Sequence, residues 1–199
     1  MARAGRGSRT RGAAPGCVSL ALVCLALTGC GSTGHLAVSH RHSPDAEARI
    51  VVTPVVIPKG AAAHPDEGKT LATLYATELL KSYEILEYER FERSLEKRKL
   101  TLDSILVDGA GSDLVNELGI DGVLLSEVYD WAPGKPGILF LAKDGRIGFQ
   151  ARLIDIRTGS VIWSVNRVMA TAPGDPLSVG LGALFQGLAS EMPRNLAPY

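Results

Sequence analysis

Residues 146–169 read RIGFQARLIDIRTGSVIWSVNRVM, and this stretch decides the fold. Apolar residues at every second position of each half indicate two strands with one buried face. These residues are Ile147, Phe149, Ala151 and Leu153, followed by Val161, Trp163 and Val165. Between the halves, Gly159 in the segment DIRTGS can adopt the positive φ that a short hairpin loop requires. The stretch therefore predicts an antiparallel hairpin of strands 146–156 and 161–169.

Upstream of this hairpin, strands and helices alternate. The β-branched run Ile50–Ile57 (IVVTPVVI) predicts a strand that ends or bulges at Pro54, because proline cannot donate to a ladder. Further strands are predicted over residues 84–88, 122–131 and 138–142. Helices are predicted over residues 66–82, 89–99, 102–106, 113–118 and 176–192. The first helix begins at a possible Asp66 cap, and Leu71, Leu74, Tyr75 and Leu79 form its apolar face.

The amino-terminal segment has the organisation of an export signal. It begins with four arginines, which are Arg3, Arg6, Arg9 and Arg11. The apolar run that follows, residues 17–27 (CVSLALVCLAL), is shorter than the ~20 residues of a membrane-spanning helix. We therefore expect a signal peptide over residues 1–29.

This run ends in the sequence Leu27-Thr28-Gly29-Cys30, which resembles the bacterial lipobox. The resemblance implies that signal peptidase recognises Leu27, Thr28 and Gly29 and that Cys30 carries the lipid. It also implies that the mature protein carries enough acyl chains to stay anchored to its membrane. Because Gly31 and Ser32 follow instead of an aspartate, it implies an outer-membrane location facing the periplasm. A secreted protein or an uncleaved anchor is the alternative.

Composition and cysteine usage exclude several classes of protein. The 199 residues include 46% hydrophobic residues and have zero net charge, which argues against disorder and against nucleic-acid binding. Removing the four signal arginines leaves 17 basic against 21 acidic residues. Of three cysteines, Cys17 and Cys24 would leave with the signal and Cys30 would be acylated, so no disulfide is expected.

Residues 30–49 are predicted to be the lipidated cysteine and a flexible tether, and residues 50–199 a single α/β domain. The tether is rich in Gly, Ser, Thr and His and has no sustained periodicity. All four histidines lie between His35 and His64, with a spacing that fits no zinc motif. We therefore predict no metal and no cofactor.

The order of elements resembles a periplasmic domain family that includes the TolB amino-terminal region, the curli lipoprotein CsgG and LpoB. Three segments carry this resemblance, namely residues 83–94 (YEILEYERFERS), 118–126 (LGIDGVLLS) and 151–163 (ARLIDIRTGSVIW). It also extends to small bacterial lipoproteins. The family implies a three-layer α/β domain with a mixed sheet, in which parallel crossovers precede an antiparallel meander. The first strand departs from the family pattern, because it lacks a Pro-Phe ending and continues as Val55, Val56 and Ile57.

The leading functional hypothesis is a non-enzymatic lipoprotein that binds or assembles with an envelope protein. A subunit of an oligomeric export complex related to the curli channel is the alternative, and a homo-oligomer is possible in either case. A membrane-spanning hairpin over residues 131–145 is disfavoured, because one spanning hairpin needs about 20 residues plus a turn. An enzyme is the least favoured class. Its acid–base candidates all lie at predicted element ends and are Asp108, Asp113, Asp121, Asp130, Asp144 and Asp155.

Overall fold

A computed structural model describes residues 33–38, 48–61, 64–108, 111–137 and 142–192. Its strands are β1 (Thr33–Val38), β2 (Arg49–Val52), β3 (Glu84–Leu86), β4 (Gly122–Ala132), β5 (Gly145–Asp155) and β6 (Val161–Thr171). Its helices are α1 (Glu67–Leu79), α2 (Tyr88–Arg98), α3 (Leu102–Asp108), α4 (Ser112–Leu118) and α5 (Leu177–Glu191). All of these elements belong to one unit that spans Gly31–Tyr199.

The six strands form one mixed sheet in the order β1-β6-β5-β4-β2-β3. Strand β2 pairs in parallel with β3 and with β4, and the helices between them make the crossovers. The pairs β4–β5, β5–β6 and β1–β6 are antiparallel. The predicted sequence of parallel crossovers and a later antiparallel meander is therefore confirmed.

Helices α1 and α5 cover one face of this sheet. Ile50 and Val52 point to this side and join Phe149, Trp163 and the helical residues in one buried cluster. At its centre, the ring of Tyr75 on α1 stacks on Phe185 of α5 with centroids 4.4 Å apart. Burial raises the pKa of Tyr75, so this phenol stays neutral.

Helices α2, α3 and α4 cover part of the opposite face. Val51, between the two inward residues of β2, points to this side and packs with Val123. All three short helices contribute residues to this second cluster, among them Phe91 and Ile105. The domain thus has helices on both faces of the sheet, which confirms the predicted three-layer α/β class.

The predicted hairpin of residues 146–169 is present. Leu153 pairs with Trp163, and Gly159 has a φ of 67°. Asp155 stabilises its turn by accepting hydrogen bonds from the backbone N–H groups of Arg157 (2.8 Å) and Thr158 (3.3 Å). Val161 differs from the prediction, because it is 46% exposed. The register shifts between Leu153 and Ile154, which takes Val161 out of the alternating buried series.

Pro54 ends strand β2, as expected. The backbone N–H groups of Thr53 and Val56 both donate to carbonyls of β4, at Leu124 and Ser126. From Thr53 to Val56 the chain advances by three residues, whereas from Leu124 to Ser126 strand β4 advances by two. One extra residue on one side of a strand pair is the signature of a bulge. Val56 returns to a single parallel bridge with Glu127, so the predicted strand to Ile57 is shortened to Val52.

Four further sequence predictions are corrected or limited by the structure. The predicted tether over residues 30–49 contains strand β1, which pairs along the edge of β6 and thereby gains hydrogen bonds that a free tether would lack. Leu74 is 43% exposed, so it does not belong to the buried face of α1, which consists of Leu71, Ala72, Tyr75 and Leu79. Asp66 stands at the amino-terminal cap of α1 without a side-chain capping hydrogen bond. The predicted strand 138–142 lies almost wholly outside the described residues.

Across the residues that the structure describes, no helix is both long and apolar enough to cross a membrane.

Candidate binding surface

The predicted lipid attachment site lies outside the described residues. This holds for Cys30 and for the recognition residues Leu27, Thr28 and Gly29. Lipidation therefore stays a prediction from the sequence, and the candidate site that the structure itself presents is elsewhere.

The three short helices leave the antiparallel half of the sheet uncovered. Their buried cluster takes strand residues from β2, β3 and the start of β4, and none from β6. Beyond this cluster, the same face of the sheet carries polar side chains that are half-buried or exposed. We call this region the open face and define it by Glu127, Tyr129, Gln150, Arg152 and Asn166.

Tyr129 is the fixed aromatic residue of the open face. It occupies the bulge at which the register of β4 against β5 shifts. Its hydroxyl donates to Oδ1 of Asn166 on β6 at 2.6 Å, so the ring spans across β5. A Cβ atom at Gly148 would lie 2.6 Å from ring atom Cε2, which shows why β5 has a glycine there. Tyr129 is nevertheless 40% exposed, although contacts on two sides set the position of its ring.

The remaining groups of the open face are polar and partly engaged. Nε2 of Gln150 donates to Oε2 of Glu127 at 2.8 Å, across the β4–β5 pair. Arg152 is exposed, and it forms no ion pair with any residue described in the structure. The open face thus presents a fixed tyrosine and, further along β5, an arginine without an ion pair to any described residue, and both residue types are enriched in protein interfaces.

A groove of about 330 Å³ borders the open face where α2 and α3 begin. The bulge at Pro54 shapes it, and the exposed side chain of Val56 (62%) forms part of its wall. Tyr88, Leu102 and Leu125 add apolar surface. Burial is the main cause of a raised pKa at Tyr88, so its hydroxyl is a neutral hydrogen-bonding group. A smaller groove of about 190 Å³ lies on the other side of Pro54.

Four of the six aspartates considered as acid–base candidates have structural partners among the described residues. Asp155 caps the hairpin turn, and Asp121 accepts from Arg157 (2.9 Å) and from the backbone N–H of Arg49 (3.0 Å). Asp113 and Asp130 form ion pairs with Arg98 and Arg146, at 3.5 Å and 2.7 Å. These contacts connect strand ends and helices, and they give none of the four carboxylates the partner of a general acid or base.

Metal binding is not indicated in the part of the chain that the structure describes, where no group of three His, Cys, Asp or Glu residues could hold an ion. His64 is exposed, and the other three histidines carry no described side chain.

Sequence reasoning missed the open face. The residue that could have indicated this surface from the sequence is Gly148, because a glycine inside a strand suggests that another group approaches closely. It did not show that this group is Tyr129, because the bulge that brings Tyr129 over β5 depends on pairing between strands.

No protein-family model matches this sequence, and no curated protein matches it. Solved structures do resemble the fold. The PelC dodecamer from Paraburkholderia phytofirmans matches with a TM-score of 0.51 and 16% identity, over 80% of this chain and 96% of that one. This likeness shows that the fold is shared.

Two further similar structures are of bacterial proteins. Lipoprotein GNA1162 from Neisseria meningitidis matches with a TM-score of 0.46 and 21% identity, over 72% of this chain and 96% of that one. The LpoB C-terminal domain from Salmonella enterica has a TM-score of 0.38 and 16% identity, over 61% and 82%. A lipoprotein and LpoB are thus among the similar structures, whereas the resemblance to TolB and CsgG stays a prediction.

Proposed function

We propose that this chain is an envelope lipoprotein without enzymatic activity whose open face binds another envelope protein. Cys30 would carry the lipid and would hold the domain at the outer membrane, facing the periplasm. The observation that carries the binding role is the open face itself, since no helix among the described residues covers it, whereas helices pack on both faces of the sheet around β2.

The chemistry of the open face supports a protein partner. Tyr129 is already oriented by Asn166 and Gly148, so little side-chain entropy would be lost when a partner covers it. Arg152 can donate to a carboxylate of a partner without breaking an ion pair to any described residue. The neighbouring groove of about 330 Å³ can accept an apolar side chain.

Lipidation is tested by metabolic labelling with palmitate in cells. We expect the full chain to be labelled and the Cys30→Ala variant to lose the label. A matched Cys24→Ala variant should keep it, because Leu22 and Val23 before Cys24 do not fit the lipobox. Equal labelling of the chain and of Cys30→Ala would exclude lipidation at Cys30.

The binding face is tested by photo-crosslinking in cells. A photoreactive amino acid replaces Arg152 or Asn166 on the open face, and Thr73 or Lys81 on the outside of the helix pair as controls. We expect one reproducible envelope protein to be crosslinked from the two open-face positions and not from the controls. Equal products at all four positions would contradict a binding role for this face.

The alternative is a subunit of an oligomeric export complex. It is favoured by two observations, namely that the structurally similar PelC was solved as a dodecamer and that β1 is an edge strand of the sheet. An edge strand offers unpaired backbone groups to a second chain. Native mass spectrometry of the detergent-solubilised lipoprotein tests this alternative, because the alternative requires a single large oligomer and a monomer contradicts it.

A further inference from the structure

A crevice opens between the carboxyl ends of the parallel strands β2 and β3. Their last pair is Val51 with Leu86, and beyond it the two connections leave toward opposite faces of the sheet. The chain after β2 enters α1, which packs with α5, whereas the chain after β3 enters α2 on the other face. In open α/β sheets, ligands bind in the crevice that such diverging connections leave. The groove of about 190 Å³ beside Pro54 lies at this point.

The floor of the crevice is apolar. It is formed by Val52, Ile85 and Leu86 of the two strands and by Ala72 and Ala76 of α1, all of them buried or half-buried. The two alanines lie one helical turn apart, and their small side chains leave the gap unfilled. A cavity of about 150 Å³ in another protein holds benzene. A groove of about 190 Å³ therefore fits one side chain the size of leucine, and it is too small for drug-sized ligands.

Backbone contacts fix the α1 wall of the crevice against the end of β2. The N–H group of Val55 donates to the carbonyl oxygen of Gly68 at 3.0 Å. A Cβ atom at Gly68 would clash with the carbonyl oxygen of Val55, so glycine is needed for this close approach. Lys69 follows directly, and the main chain thereby sets its place at the mouth of the crevice.

The rim of the crevice carries opposite charges on its two walls. Lys69 lies on the α1 wall, and Glu87 and Glu89 lie on the wall where α2 begins. All three side chains are exposed, and none forms an ion pair with a residue that the structure describes. Glu87 occupies the amino-terminal cap of α2 without a side-chain capping hydrogen bond. The rim thus offers a cation on one side and two carboxylates on the other.

We propose that this crevice binds a free α-amino acid whose apolar side chain is about the size of leucine. The side chain would lie on the floor, the carboxylate would face Lys69, and the ammonium group would face Glu87 and Glu89. In an α-amino acid these three groups are bonded to one carbon atom, so a narrow groove with oppositely charged walls can contact all of them at once. None of the lining residues belongs to the open face, so this site would work whether or not the open face binds a protein.

The test is an NMR titration of the full chain, purified in detergent micelles, with leucine. Spectra of the backbone amides locate the binding site, and we expect shifts at Thr73, Ala76 and Leu86 but not at Asn166 on the open face. Leucine should bind at least about tenfold more tightly than alanine, because its additional carbon atoms are buried on the floor. Crevice amides that do not shift at millimolar leucine would overturn the proposal.

Three analogues of leucine test the charged rim. N-acetyl-leucine lacks the ammonium group and leucinamide lacks the carboxylate, and each should bind about threefold more weakly than leucine, as expected for exposed ion pairs. Acetyl-glycyl-leucyl-glycinamide has the same side chain without charged ends, and it represents a side chain of a partner protein. Should this peptide bind as tightly as leucine, the crevice accepts a protein side chain and the proposal is wrong.

Charge variants connect each group of the ligand to one wall. Glu87→Gln combined with Glu89→Gln should weaken the binding of leucine about threefold and should not weaken that of N-acetyl-leucine. Lys69→Gln should weaken leucine and N-acetyl-leucine but not leucinamide. Glu96→Gln and Lys97→Gln, which are exposed positions of α2 outside the crevice, are the matched controls and should change nothing.

A change in the floor tests the site by filling it. Ala76→Leu should abolish leucine binding, whereas Ala183→Leu, at an exposed alanine of α5, should leave it unchanged. The charge variants keep the test decisive if Ala76→Leu does not fold, because their side chains are exposed. Leucine binding that all of these variants leave unchanged would lie elsewhere and would overturn the proposal. The palmitate label and the crosslinks from the open face report on the proposed function independently of these results.

Discussion

Gly180 and Gly182 lie two residues apart in helix α5 but differ in what surrounds them. A Cβ atom at Gly180 would lie 2.5 Å from Cδ1 of Ile147 and 2.8 Å from Cγ2 of Thr171, whereas nothing lies within 4 Å at Gly182. The glycine at position 180 therefore lets the helix approach the sheet. The one at position 182 has no such role.

This difference gives a prediction at the scale of single residues. Gly182→Ala should raise the free energy of unfolding by about 0.5–1 kcal/mol, because alanine favours helix. Gly180→Ala should lower it by about 1 kcal/mol, because overpacking costs more than the helix propensity gains. Urea denaturation followed by circular dichroism measures both, with Gly187→Ala, which is also open, as a second control. Stabilisation by Gly180→Ala would contradict the close packing.

Tyr129 shows why residue-scale reasoning did not reach the binding surface. Its position in the alternating strand 122–132 suggested nothing unusual, and its role arises from a bulge and from Asn166, 37 residues away in sequence. A contact between residues so far apart depends on strand register, which the local pattern leaves open.

At the scale of elements, helices α2 and α4 are connected by the ion pair of Arg98 with Glu117. Nη2 of Arg98 donates to Oε2 of Glu117 at 2.6 Å. This hydrogen bond is the main cause of the lowered pKa of Glu117. Because the folded-state pKa is depressed, the pair stabilises the fold above the unfolded-state pKa and loses that effect as the pH falls through the folded-state pKa.

We therefore predict that Arg98→Gln raises the pKa of Glu117 toward its ordinary value. Carbon-13 NMR titration of the side-chain carboxyl measures this directly. Arg93→Gln is the matched control, since Arg93 on the same helix donates to the backbone oxygen of Glu89 instead. An unchanged pKa of Glu117 in Arg98→Gln would exclude the pairing in solution.

Whole elements were predicted best where their signal is local. The β5–β6 hairpin follows from alternation and one glycine, and each α-helix was expected near its observed bounds. Strand β1 was missed, because TGHLAV is too short and too polar at its start to indicate a strand by itself. It is held in place by six residues of β6, which no local pattern reveals.

At the scale of the whole molecule, two buried clusters share one sheet. Phe91 belongs to the cluster under α2–α4 and Phe185 to the one under α1 and α5, and both side chains are fully buried. Ile50, Val51 and Val52 alternate between the two clusters along a single strand. Loss of either cluster should therefore expose the sheet to water on that side and destabilise the other.

We predict that Phe91→Leu and Phe185→Leu each lower the free energy of unfolding by about 1–2 kcal/mol, less than the ~3–5 expected for alanine. Each variant should keep a single transition with the same midpoint by circular dichroism and by tryptophan fluorescence. Trp163 reports on the α1–α5 side, where it is fully buried. A second transition that moves only in Phe91→Leu would show two independently folding halves.

The sequence by itself determined the class of this protein. Alternating apolar residues and a glycine at position 159 specify strands and a turn, because side-chain direction in a strand depends only on parity along the chain. The arginines, the apolar run and the cysteine at position 30 predict its address for a similar reason, since a signal is read as linear sequence.

Only the tertiary structure decided where these elements meet. It placed β1 at the sheet edge and Tyr129 over Gly148. Each of these placements depends on pairing between distant strands, whose free energy comes from backbone hydrogen bonds and shared burial. Those contributions exist only once the chain has closed its loops, so no local window of the sequence contains them.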